Sequence, residues 1–160
     1  MSIPDSLTNL PTIGWIRKNW KEFSRDLPQV DLAIYFDIDS LIYTTENFGW
    51  KVTEKKIAEV ANRIRDYFPS KYPVARFSGD EFLVLIESSK VSNEAIRELL
   101  KSLEDHSLEY DSEAINYFSV SCCTIEINEM DSWESFGKQI DRACEEISNA
   151  RRYHDGGSSV

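Results

Sequence analysis

Apolar and polar positions recur along this chain with two different periods, and the changes of period mark its elements. Over residues 11–24, Ile13, Ile16, Trp20 and Phe23 fall at spacings of three and four, which predicts an amphipathic helix. Residues 31–39, Asp-Leu-Ala-Ile-Tyr-Phe-Asp-Ile-Asp, form a near-continuous apolar run that ends in acids. That is the pattern of a central strand covered on both faces. Thr53 is placed to cap a helix running to about residue 68, with Ile57, Val60, Ala61 and Ile64 on its inner face. Pro69 and Pro73 punctuate the loop that follows.

Two apolar runs at 74–77 and 81–87 flank the short turn Ser78-Gly79-Asp80, which reads as a β-hairpin with acids at its tip. Ser92 or Asn93 opens a helix carrying Ile96, Leu99, Leu100 and Leu103. Residues 114–127 are rich in β-branched and aromatic side chains and predict a strand. A last helix starts at Asp131 and runs to about residue 151, with Phe136, Ile140, Ala143 and Ile147 facing inward. The order is α-β-α-β-β-α-β-α. A mixed sheet with flanking helices is the simplest way to bury those faces, so the class is α/β or α+β. With no repeat and no linker-like stretch, residues 1–153 read as a single domain and 154–160 as a flexible, polar tail.

Composition narrows the functional classes. The 160 residues are enough for one core, and no run of about 18 to 20 apolar residues offers a membrane span. The N-terminal stretch lacks the basic start and apolar run of a signal peptide, and three cysteines suit no disulfide framework or zinc site, so a reducing, cytoplasmic setting is expected. The net charge is −10, which disfavours nucleic acid as a partner. It does not disfavour a small phosphorylated ligand brought in with a divalent cation.

The acids carry the candidate chemistry. Asp37 and Asp39 are two apart at the end of a buried strand and share a face; Asp80 and Glu81 sit at the hairpin tip. If the first strand pairs beside the hairpin, the two clusters meet at one end of the sheet. Carboxylates so close repel unless a cation neutralises them, and all-oxygen donors suit Mg²⁺ or Mn²⁺. The plainer reading is of solvated strand-end acids and ordinary turn formers.

The segment Arg76-Phe77-Ser78-Gly79-Asp80-Glu81-Phe82 resembles the R-[YF]-G-G-D-E-F signature of GGDEF domains, the diguanylate cyclases. Asp5-Ser-Leu-Thr-Asn-Leu-Pro11 resembles the family's D-x-L-T-x-L-x-N opening, with Thr12 at the asparagine. Phe36-Asp-Ile-Asp-Ser-Leu41, followed by Phe48-Gly49, and Asp141-Arg-Ala-Cys-Glu resemble two further motifs, in the family's order. The resemblance implies a palm-like sheet related to adenylyl cyclases and polymerases. It implies condensation of two GTP into cyclic di-GMP with loss of pyrophosphate, in a homodimer of facing half-sites. It implies that Asp37 and the Ile38 carbonyl bind metal, that Asp80 ligates metal and helps deprotonate the attacking hydroxyl, and that Glu81 supports metal or phosphates. Gly79 would let backbone approach the nucleotide. Asp5 and Arg76 match a structural ion pair.

The departures from the family pattern are specific. Ser78 stands at the first signature glycine, Ile42 and Ser148 stand at two phosphate lysines, and Arg152 keeps the phosphate arginine. Thr45 and Glu54 take the positions of the guanine-reading asparagine and aspartate, so the base could be guanine or another purine. The inhibitory R-x-x-D falls on Pro69 and Tyr72, Trp50 replaces the histidine after Gly49, and Cys123 replaces a strand glycine. His106 and His154 match nothing in the family, and Cys122 and Cys123 read as packed strand residues. Three readings stay open: a divergent metal-dependent cyclase, a degenerate domain that binds nucleotide or a partner without turnover, and an interaction module. For the last, Trp15, Trp20, Trp50 and Trp133 would supply the surface. Since GGDEF domains usually follow a sensor or a coiled coil, an upstream sensor or partner protein is also expected.

Overall fold

The computed structural model describes residues 4–105, 108–110, 113–115, 119–127 and 132–156, with side chains for 4–105, 119–127 and 132–149. The order is α1 (Ile13–Lys18), α2 (Trp20–Asp26), β1 (Leu32–Ile38), α3 (Leu41–Phe48), α4 (Trp50–Tyr67), β2 (Val74–Ser78), β3 (Glu81–Ile86), α5 (Asn93–Glu104), β4 (Leu108–Tyr110), β5 (Glu113–Ile115), β6 (Val120–Glu126) and α6 (Trp133–Gly156). Four strands form a sheet in the order β2-β3-β1-β6, and β4-β5 form a separate pair. The three pairings of the main sheet are antiparallel, and an isolated parallel bridge joins Thr12 to Arg76 at its edge.

β1 is central because its side chains are buried on both faces: Ala33, Ile34, Tyr35 and Phe36 are fully enclosed. Phe36 reaches Phe68 at the end of α4, with ring centroids 6.4 Å apart. Tyr35, on the opposite face, contacts Cys144 of α6. The helices supply apolar stripes at helical spacing, Ile57, Val60, Ala61 and Ile64 from α4 and Phe136, Ile140, Ala143 and Ile147 from α6. α6 also docks on α2, where Trp20 stacks on Phe136 at 4.7 Å and meets Trp133 edge-on at 5.5 Å. Among the described residues, no helix is long and apolar enough to cross a membrane.

Several local expectations change. The helix expected over 11–24 is two helices, because Asn19 ends the first and starts the second. Its backbone and side-chain amides both donate to the Trp15 carbonyl, at 3.0 and 2.8 Å, and its carbonyl accepts from Glu22 and Phe23. Thr53 is an interior residue of α4, three positions after its start, and Gly49 precedes the helix with φ of +86°. α3 forms where the sequence pattern predicts no element. The strand expected over 114–127 is two strands, β5 and β6, and the expected helix start at Asp131 lies outside the described residues. Helix α6 continues through His154 and Asp155 to Gly156, and His106 lies outside the described residues. Of the four tryptophans, Trp20 is buried, Trp15 and Trp133 are half-buried, and Trp50 is 63 % exposed.

Candidate functional site

Strand register brings the acids together. β1 and β3 pair so that Asp37 lies opposite Glu81, and one step on the Ile38 amide donates to the Asp80 carbonyl at 2.9 Å. Asp37 is buried, at 9 % exposure, whereas Asp80 and Glu81 are half-buried. Asp39 follows the strand end, and its carboxylate accepts from the hydroxyls of Ser119 and Ser121 at 2.7 and 2.8 Å. That tie holds Asp39 to β6, whereas Asp37 lies in register between Glu81 of β3 and Ser121 of β6.

The hairpin carries a bulge between Arg76 and Ser78. Bulges re-aim the residues next to them. Arg76 pairs with Asp5 at 2.8 Å and donates to the Gly79 carbonyl at 2.7 Å, so one guanidinium holds both the opening segment and the turn. The Thr8 amide and hydroxyl each donate to Asp5 at 2.7 Å. Burial pushes the Asp5 carboxyl up, but these bonds and Arg76 outweigh it and hold the carboxyl below its ordinary range. Ser78 is not among the residues with positive φ, so a serine fits this turn without backbone strain. A Cβ built on Gly79 would meet nothing within 4 Å.

A cavity of about 700 Å³ opens beside the tip, with Gly79, Asp80 and Arg76 on one wall and Thr45 and Glu54 on the other. Its volume is in the range of small-ligand sites. Leu7, Leu41, Ile42 and Trp50 give it an apolar rim, and Ile42 is 75 % exposed. Thr45 donates to the Leu41 carbonyl at 2.9 Å and lies 2.7 Å from the Thr53 hydroxyl, which in turn is 3.3 Å from the Gly49 carbonyl. A hydroxyl has one proton. With it given to Leu41, Thr45 has acceptor capacity for a base edge but no donor.

The sequence-derived site residues therefore fall in two groups. Thr45, Glu54, Gly79 and Asp80 line the cavity together, and Asp37, Ile38, Ser78 and Glu81 stand at the sheet end next to Asp80. Arg152 falls in α6 beyond the last described side chain. Tyr72, at the second inhibitory position, is a core residue whose hydroxyl donates to Glu87 at 2.8 Å. Cys122 and Cys123 are half-buried, and burial raises both thiols, Cys123 to about 11. Among the described residues, no three His, Cys, Asp or Glu side chains stand close enough to hold a metal ion by themselves.

Two residues of the site were not singled out from the sequence. Tyr35 precedes Asp37 by two, the spacing that shares a strand face, and its hydroxyl donates to Glu81. Lys56 sits inside α4 and is only 2 % exposed, with its ammonium 3.5 Å from the Asp39 carbonyl and 3.4 Å from the Thr44 hydroxyl. Burial lowers the Lys56 pKa, and Asp39 opposes that shift. The period-2 rule identifies Tyr35; nothing in the helical pattern marks Lys56.

Comparisons with known proteins agree with this layout. A family model described as diguanylate cyclase, GGDEF domain, matches residues 2–154. An uncharacterized protein of Sinorhizobium fredii, y4lL, is 30 % identical over 87 residues, which cover 53 % of this chain and 10 % of that protein. The diguanylate cyclase SiaD of Pseudomonas aeruginosa, solved in complex with its activator SiaC, superposes with a TM-score of 0.77 at 18 % identity, over 93 % of this chain and 59 % of that one. The GGDEF domain of DgcB from Caulobacter crescentus, solved in complex with c-di-GMP, gives a TM-score of 0.76 at 19 % identity, over 95 % and 89 % of the two chains. The chain thus spans about a tenth of the curated relative and under two thirds of the SiaD chain.

Proposed function

The chain belongs to the diguanylate cyclase, GGDEF domain, family, and from that premise we propose that it condenses two GTP, or a related purine nucleotide, into a cyclic dinucleotide with release of pyrophosphate. One observation carries the reading: the cavity that holds Thr45 and Glu54 also holds Asp80, next to the buried Asp37. A base-binding end and an acidic reacting end therefore share one pocket.

GGDEF domains are generally metal-dependent, and the donors here fit Mg²⁺ or Mn²⁺. Asp37, Asp80 and the Ile38 carbonyl are all hard oxygen donors at one end of the sheet. Mg²⁺ is usually held by one or two carboxylates together with substrate phosphates, not by a closed protein cage. The bound cation would neutralise the triphosphate and acidify the attacking 3′-hydroxyl. Asp80 would take the proton of that hydroxyl while the hydroxyl oxygen bonds to the α-phosphorus of the second nucleotide and pyrophosphate leaves. Glu54 accepts from the N–H groups of the base, Gly79 lets the triphosphate lie against backbone, and the resemblance to the family assigns a phosphate contact to Arg152. Arg76 and Asp5 hold the turn and do not touch substrate.

Among the described residues one cavity joins the proposed base-binding and acidic ends, and the product joins two nucleotides, so two copies would face each other. An upstream sensor or an activating protein, such as the SiaC that accompanies SiaD, would bring them together. A second reading, a nucleotide receptor without turnover, draws on Ile42 and Thr45. Ile42 has no charge to offer a phosphate, and Thr45 has no proton to offer a base. Each lost charge-assisted contact costs about 1.5 to 3 kcal/mol, so turnover is expected to be slow. Incubation with GTP, ATP and their mixture, with products identified by mass spectrometry, separates the two readings.

A further inference from the structure

The four tryptophans divide into two kinds. Trp15 packs edge-on against Phe23, with ring centroids 5.2 Å apart, and Trp20, Trp133 and Phe136 form one ring cluster at 4.7 to 5.7 Å. Trp50 is instead 63 % exposed and lines the cavity beside the hairpin tip. An exposed indole on a ligand-sized cavity offers a flat apolar surface that an aromatic ligand can cover.

Helix geometry sets what stands beside the indole. Trp50 is the first residue of α4 and Glu54 follows it by four. The two therefore share a helix face, with Cβ atoms about 5 to 6 Å apart. Both line the cavity, and α3 adds Thr45 and Glu46. Gly49, at φ of +86°, makes the turn from α3 into α4. The hydroxyls of Thr45 and Thr53 meet at 2.7 Å and tie the two helices together one turn beyond Trp50. The indole is thus carried on a braced helix pair.

The polar side chains that these helices bring to the cavity are acceptors. Glu46 and Glu54 are carboxylates, and the Thr45 hydroxyl gives its proton to the Leu41 carbonyl. Such a wall can take a hydrogen bond from the amino group of guanine or of adenine, and it does little to tell the two apart. Stacking on an aromatic side chain is equally tolerant, because every base has a π-face.

We propose that Trp50 is a specificity-determining residue of this cavity: its indole stacks on the base of a purine nucleotide, while Glu54, one turn on, accepts from the amino group of that base. The proposal rests on the nucleotide reading above and deepens it. Base binding then comes from the face of the ring more than from its edge. The site selects purines over pyrimidines, whose single ring covers less of the indole, and takes guanine and adenine nearly alike.

The test is the affinity of the full chain for GTP, ATP, CTP and inorganic tripolyphosphate, with Mg²⁺, by titration calorimetry. The proteins compared are the wild type, Trp50→Ala, Trp50→Leu and Trp50→Phe. Tripolyphosphate carries the phosphate charge without a base. Trp50→Ala should weaken GTP and ATP by a similar factor, at least tenfold, and leave tripolyphosphate unchanged. Trp50→Phe keeps a ring and should retain most of the affinity, whereas Trp50→Leu, apolar but ringless, should not. In the wild type CTP should bind more weakly than either purine nucleotide. GTP and ATP should quench the fluorescence of the wild type but not of Trp50→Phe, and tripolyphosphate should quench neither. The side chain is exposed, so these variants should unfold at the wild-type temperature. Purine affinity left intact in Trp50→Ala, a loss confined to GTP, or an equal loss of tripolyphosphate overturns the stacking role alone. Absence of nucleotide binding in the wild type overturns the nucleotide reading and the stacking role with it.

Discussion

Asp37 on β1 stands directly across from Glu81 on β3, the last matched pair before the two strands part at the hairpin tip. Strand side chains alternate faces, so a slip of one residue would send Asp37 to the opposite side of the sheet. The apolar runs 32–36 and 82–86 specify the register, and the register places the acids. The chemistry at the end of the sheet is therefore an outcome of core packing several residues away.

Gly79 separates substrate contact from structural need. No neighbour stands within 4 Å of where its Cβ would lie, and its φ is not positive. Gly79→Ala is expected to leave stability within about 0.5 kcal/mol of the wild type, by urea unfolding. Under the proposed function nucleotide affinity should fall at least severalfold, because the added methyl would stand where the triphosphate is proposed to lie.

Ile42 offers a gain of function. It is 75 % exposed on the rim of the cavity, so a charged replacement disturbs no core. Ile42→Lys should tighten nucleoside triphosphate binding about tenfold, the worth of one charge-assisted contact, and should make binding more sensitive to salt. Quenching of the exposed Trp50, on the same rim, is a direct readout.

The proposed function makes base selectivity turn on one proton. The Thr45 hydroxyl spends its proton on the Leu41 carbonyl, whereas an asparagine would present both a donor and an acceptor to the base. Thr45→Asn should raise the ratio of GTP to ATP affinity about tenfold, read by competition binding. The wild type should discriminate less.

The Asp5–Arg76 pair sets an acid limb of stability. The folded Asp5 carboxyl titrates below its unfolded value, so its contribution is present above about pH 4 and is lost as pH falls through the folded value. Asp5→Asn should cost about 1 to 2 kcal/mol at pH 7, and the gap to the wild type should close below about pH 4. Denaturant midpoints measured across that range give the comparison.

The parts of the fold that bury apolar surface were legible in the sequence. The run in β1, the hairpin strands, and the stripes of α4, α5 and α6 follow the period of their element, because burial selects residues at that period. Helix α3 was not legible because two of its large apolar residues face solvent, Ile42 at 75 % and Tyr43 at 53 % exposed, which breaks the stripe. A helix that splits its apolar residues between core and solvent shows no clean inward stripe to read. Asn19 was passed over for the opposite reason, since the stripe from Ile13 to Phe23 runs on across a break made by one amide. At the site, spacing placed the acids on a strand end and a turn. The hydroxyls of Tyr35 and Ser78 that engage Glu81 depend on contacts across strands, which no one-dimensional period encodes.

The most direct measurement is turnover at high protein concentration, where two copies meet, with Mg²⁺ or Mn²⁺ and GTP, ATP or both, compared with Asp80→Ala. The account expects a cyclic dinucleotide containing guanine, formed slowly by the wild type and absent from the variant. No product in any mixture, with metal-dependent nucleotide binding intact, would contradict it and identify the chain as a nucleotide receptor.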